Sequence, residues 1–152
     1  MKITNFLLTT YLIIITAFTA RVATQNALRL VKIENKDVSM WISEDKLWIT
    51  VQEWRVKNGK SLYQKDQRMC DLAEIRAEEI KENFDHNDWY SKLSGMEYKE
   101  LAENLVKGYE NEQEALEAWL ASPGHKENLE GNYAKSCIKC SENHCAQEFI
   151  NY

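Results

Sequence analysis

An α+β fold is what this sequence predicts, and three observations predict it. From Ser43 onward most of the chain carries helical periodicity with recognisable caps. Two short strand-like runs, Tyr133 to Ile138 and Cys145 to Ile150, then close the chain around a polar turn. The 152 residues hold no internal repeat and no low-complexity tract, which leaves one small domain behind a targeting segment. Helices first and a late, small antiparallel sheet read as α+β.

The elements follow in order. Residues 1–20 contain one charge, Lys2, and an apolar run from Phe6 to Ala20, the profile of a signal peptide or N-terminal anchor. Phe18 is bulky where a cleavage site wants a small residue, so cleavage after Ala20 and retention as an anchor both stand. Residues 21–42 form a leader in which Leu28, Leu30, Val31 and Ile33 make a short strand or simply pack.

The domain proper spans 43–152. Ser43 caps a helix whose first turn holds Glu44 and Asp45, favourable at the positive end of the helix dipole, and Asn58-Gly59 ends it. The spacing of Met69, Leu72, Ala73, Ala77, Ile80 and Phe84 predicts a second helix over 66–82 with a strong core stripe. A polar loop over 88–94 precedes a shorter helical piece over 98–106, stopped by Gly108. Asn111 to Glu114 resembles a capping box, and Ala115, Leu116, Trp119 and Leu120 line the buried face behind it. Ser122 caps a further short turn with Pro123 at its first position, where a missing N–H costs nothing.

Charge and cysteines narrow the setting. Removing residues 1–20 takes away one positive charge and no negative one, so the formal charge of −5 becomes −6. A mildly acidic surface argues against nonspecific nucleic-acid binding, which draws on clustered Lys and Arg. Cys70, Cys137, Cys140 and Cys145 are an even set behind an export signal and read as two disulfides of open connectivity. The rival is a metal cluster built on Cys137-x2-Cys140-x4-Cys145 with His144, but its only further partner is the lone Cys70.

The chain's only proline sits in W-L-A-S-P-G-H-K-E-N, Trp119 to Asn128, where it opens a turn that delivers one of three histidines. With C-D-L-A-E-I-R-A-E-E-I (Cys70 to Ile80), F-D-H (Phe84 to His86), A-E-N-L (Ala102 to Leu105) and H-C-A-Q-E-F (His144 to Phe149), this block resembles the CAP superfamily. That family is also called SCP or PR-1-like, and the likeness is to its short bacterial type. The resemblance covers 43–152 and implies an αβα sandwich. It implies a binding cleft of His86, Glu103 and His125, and a metal set of His86, Glu103 and His144. Ser122 stands where many members carry a second site glutamate, and Ala102 where they carry Gly.

Two neutral imidazoles and a carboxylate suit a divalent ion such as Zn²⁺. His125 in the first turn of a helix is disfavoured as a cation, which keeps its lone pair available. The plainer alternative is a buried Glu hydrogen-bonded by His side chains that tie a loop to a helix. No H-E-x-x-H, G-x-S-x-G or Gly-rich phosphate loop is present. An extracytoplasmic binding or interaction module is therefore expected, with an unidentified extracellular protein, peptide or lipid as partner. A peptidase-like hydrolase using the same cleft, or a lipid or sterol binder, is the alternative.

Overall fold

The computed structural model describes residues 41–152, a compact unit running Trp41–Tyr152. The signal peptide or anchor read over 1–20, and the strand or packing role of 21–40, lie outside the described residues.

Among the described residues four α-helices form where caps and periodicity place them: α1 Glu44–Lys57, α2 Gln67–Glu82, α3 Glu112–Ala121 and α4 Pro123–Glu130. Ser43 Oγ accepts from the Lys46 N–H, Asp66 accepts from Arg68 and Met69, and Asn111 accepts from Glu114. The capping box of α3 is only half made, because the Glu114 carboxylate turns to the N–H of Glu110 instead of Asn111. At α4, Pro123 does occupy the first position, but the Ser122 hydroxyl makes no capping bond.

Strands β1 Gln64–Lys65, β2 Glu100–Lys107, β3 Lys135–Ser141 and β4 His144–Asn151 form one sheet in the order β1-β3-β4-β2. The two pairings made by β4 are antiparallel, whereas β1 lies parallel to β3, so the sheet is mixed. The helical piece expected over 98–106 is strand β2. Its residues 102–106 are all buried, because helices cover both faces of the sheet. Burial on both sides removes the alternation of a half-exposed strand, and the spacings Leu101–Leu105 and Ala102–Val106 then imitate a helix. The polar loop tightens into a 3₁₀ turn over Trp89–Leu93.

The sheet is sandwiched. On one face α2 packs Met69, Leu72, Ala73 and Ile80 against Leu105, Ala146 and Ile150. Phe84, expected to extend that stripe, is 38% exposed and sits beyond the end of α2. On the other face α1, α3 and α4 bury Leu47, Val51, Trp119 and Leu129 against Ala102, Val106, Ile138 and Phe149.

The four cysteines pair as Cys70–Cys137, which ties α2 to β3, and Cys140–Cys145, which closes the β3–β4 hairpin. Among the described residues no cysteine is free, so the rival cysteine metal cluster does not form.

No helix among the described residues is long and apolar enough to cross a membrane; the longest, α2, has 16 residues and a charged outer face. The expected membrane anchor is corrected to that extent. No described feature supports the extracellular protein, peptide or lipid partner expected beside it.

Candidate functional site

β2 is an edge strand, and three elements converge on it. Glu103, on the face covered by α2, has a side chain 1% exposed. Its carboxylate is held by Arg76 of α2, with Nε donating to Oε2 at 2.6 Å and Nη2 to Oε1 at 3.3 Å. The same guanidinium donates to the Asp85 carbonyl at 2.6 Å and to Glu79 at 2.8 Å. Arg76 thereby fixes the loop after α2, and that loop brings His86 Nδ1 to 2.8 Å from Glu103 Oε1.

The neighbouring residue Asn104 points to the opposite face and secures α4. Asn104 Nδ2 donates to the His125 carbonyl at 3.1 Å, and Asn128 Nδ2 donates to Asn104 Oδ1 at 2.9 Å and to the Glu103 carbonyl at 3.2 Å. The block from Ser122 to Asn128 thus closes over the strand edge, and His125 Nε2 lies 3.4 Å from His86 Nε2. Beside the pair runs a cleft of about 360 Å³ lined by Phe84, Tyr109, Trp119, Ser122 and His125. A larger apolar groove, about 500 Å³, lies along the outer face of α1 around Ile49 and Val56, away from this cluster.

His86, Glu103 and His125 are therefore brought together. His144 is not. It pairs in register with Lys107 and Ser141 at the hairpin, four residues along β4 from Glu148, the partner of Glu103. Four residues of strand are about 14 Å.

Protonation states follow from the contacts. Burial raises the Glu103 carboxyl, but hydrogen bonds from His86 and Arg76 and the charge of Arg76 outweigh it and hold the group below the ordinary carboxylate range. An ionised carboxylate only accepts, so neutral His86 carries its proton on Nδ1 and its lone pair on Nε2. Burial, then the charge of His86, lowers the His125 pKa, with Glu103 opposing weakly, so the neutral ring is favoured.

Two facing imidazole nitrogens, one backed by a carboxylate on its far nitrogen, suit a divalent transition ion. Ligands about 2.0–2.1 Å from a tetrahedral zinc stand about 3.3–3.4 Å apart, and a carboxylate on the second ring nitrogen is the usual support for a metal-binding histidine. Glu103 stands in the position of such a support rather than of a ligand, because Arg76 and His86 already take both of its oxygens. No group of three or more His, Cys, Asp or Glu side chains converges as a metal site among the described residues. No hydroxyl or thiol nucleophile bonds to either imidazole among the described residues.

Arg76, Asn104, Asn128 and Glu148 went unnoticed in the sequence. Arg76 interrupts the apolar stripe between Ala73 and Ala77, and Glu148 sits inside the buried run of β4. A charge at a core position demands a partner, and that was the available signal.

No family model matches the chain. YkwD of Bacillus subtilis, an uncharacterized protein, is 31% identical over 84 residues, which cover 49% of this chain and 33% of that protein. An extracellular SCP-domain protein from Bacillus anthracis superposes with a TM-score of 0.63 at 19% identity, covering 72% of this chain and 40% of that one. A cysteine-rich secretory protein from Staphylococcus aureus gives 0.64 at 15%, covering 72% and 38%. An outer surface protein from Borrelia burgdorferi gives 0.55 at 22%, covering 70% and 90%. The chain spans a third of the length of YkwD and about two fifths of the first two structures. The chain shares its αβα-sandwich fold with these extracellular and secretory proteins, one of which is described as containing an SCP domain.

Proposed function

We propose that residues 41–152 form an exported binding domain whose edge cleft holds a divalent transition ion between His86 Nε2 and His125 Nε2. The observation that carries this reading is the 3.4 Å approach of the two nitrogens, with His86 Nδ1 bound to Glu103 behind. A bound ion would act there as a Lewis acid, polarising an oxygen of whatever ligand enters the cleft. The chain's own residues orient and exclude. Arg76 and Glu103 set the His86 ring, Asn104 holds the His125 backbone while Asn128 braces Asn104, and Phe84, Tyr109 and Trp119 wall the cleft. Two protein nitrogens leave other coordination positions open, as a binding site requires.

Export belongs to the same proposal. It rests on the apolar run after Lys2, on two disulfides suited to an oxidising compartment, and on relatives described as extracellular or secretory.

Isothermal titration with Zn²⁺ tests the site. Wild type is expected to bind one equivalent, His86→Ala and His125→Ala to lose binding, and His144→Ala to retain it. Equal heats in all four proteins would remove the proposal.

A further inference from the structure

Among the described residues, Glu148 is the one fully buried carboxyl that the site described above leaves without a task. Its relative exposure is 0%, and neither oxygen has a hydrogen-bond partner when the group is treated as an ion. It stands directly opposite Glu103 in the β2–β4 register, on the face covered by α2. Cross-strand partners place their side chains side by side, and these two carboxyls lie within hydrogen-bond reach.

The groups facing Glu148 are few. From β2 comes Glu103, from α2 comes Arg76, and from β3 comes its register partner Cys137, which is locked in a disulfide. Arg76 is the sole cation among them. Its N–H groups go to Glu103, Glu79 and the Asp85 carbonyl, and none is bonded to Glu148. A second interior anion beside Glu103 would lack compensation, and an uncompensated buried charge is strongly unfavourable.

We propose that Glu148 is a positioning residue, carried as the uncharged carboxylic acid, whose O–H is donated to the Glu103 carboxylate. One proton then satisfies both groups. Glu148 gains the partner it lacks as an ion, and Glu103 gains a third donor beside Arg76 and His86. Burial, followed by the charge of Glu103, pushes the Glu148 carboxyl well above the usual range, in keeping with this assignment. The pair resembles two carboxyls sharing one proton at a reactive site, except that both are sealed from solvent. The shared proton holds Glu103 as a fixed, oriented anion toward His86, and through His86 it acts on the cleft. That last step rests on the reading of His86 and His125 as the binding pair, whereas the shared proton does not.

Infrared spectroscopy of the full chain at neutral pH, wild type against Glu148→Gln, tests the proton without any metal. The expected result is a carbonyl-stretch band of a protonated carboxyl in wild type and its loss in E148Q. No such band in wild type, or a band that persists in E148Q, would overturn the assignment. The positioning step is read from the ¹⁵N resonance of His86 Nδ1. Glu148→Leu, which offers no donor, should shift it, while E148Q, whose amide N–H can still donate to Glu103, should leave it near wild type. An unmoved resonance in E148L, or an equal shift in both variants, would refute positioning. If E148L does not fold, a wild-type-like His86 resonance in E148Q supports it and a displaced one refutes it. Failure of the metal titration alone would leave the infrared result standing.

Discussion

The two faces of the sheet each bury one arginine and carry one disulfide, and they use them in opposite ways. On the three-helix face Arg55 is 1% exposed, and its bonds go to neutral groups: the carbonyls of Ser61, Leu129 and Gly131 and the Tyr63 hydroxyl. The carbonyls of Leu129 and Gly131 mark the C-terminal end of α4, where a cation is favoured and orphan acceptors need donors. Arg55 therefore fastens α1 to α4 and to the Ser61 and Tyr63 segment, with no charged partner among these bonds. On the α2 face Arg76 meets the carboxylates of Glu103 and Glu79, and its reach continues through Glu103 to His86 and the cleft. A buried charge answered by carbonyls builds structure, and one answered by a carboxylate with further partners builds the candidate site.

Substitution at the two arginines should break the symmetry most. Arg76→Met leaves Glu103 buried without its cation and should cost about 3–5 kcal/mol. It should also abolish Zn²⁺ binding by freeing the His86 loop. Arg55→Met strands only neutral acceptors and should cost about 1–3 kcal/mol, with Zn²⁺ binding retained. Denaturant melts and calorimetry on both variants check the pair, and equal costs with equal loss of binding would erase the distinction.

The disulfides sharpen it. Cys70 and Cys137 are 67 residues apart, whereas Cys140 and Cys145 are separated by 5. Loop-closure entropy alone gives the first about 4 kcal/mol and the second about 2 kcal/mol. Thermal melts of the two double Cys→Ala variants should rank in that order, and the reverse ranking would mean that the hairpin, not the α2 face, depends on its bridge.

Smaller effects concern the carboxyls. Glu103→Gln keeps its shape but weakens the support behind His86 and should lower Zn²⁺ affinity about 10–100-fold. Glu148→Gln should stabilise the domain at neutral pH by about 1–3 kcal/mol. The sign follows from linkage. The folded carboxyl is raised above its ordinary value, so the folded state keeps a proton that the unfolded chain has released. Stability therefore falls as pH rises from the ordinary carboxyl range toward the raised folded value. The gain from E148Q should vanish below that range and reach its full size above the folded value. A gain independent of pH would contradict the assignment.

How much of this was legible depends on whether a residue's task is local. Ser43, Asp66 and Asn111 cap helices through bonds to residues two or three positions away, so periodicity and caps placed α1, α2 and α3 well. Strand β2 was misread because its environment is made by helices far along the chain. β1 has only two residues, and the parallel pairing that defines it comes from β3. In the site, His86, Glu103 and His125 stood out by type and motif. The role of Glu103 did not, because Arg76 lies 27 residues away and decides which of its oxygens remain free. His144 carried the same motif-level signal as His125, and only the hairpin register separates it from the cluster.

One spectrum tests the central assignment directly, because the chain contains three histidines. A ¹H–¹⁵N map of the imidazoles, recorded while Zn²⁺ is added, reads all three at once. The account predicts that the Nε2 resonances of His86 and His125 move together and saturate at one equivalent, with His144 unmoved. Movement of His144 alone, or of neither His86 nor His125, would contradict it.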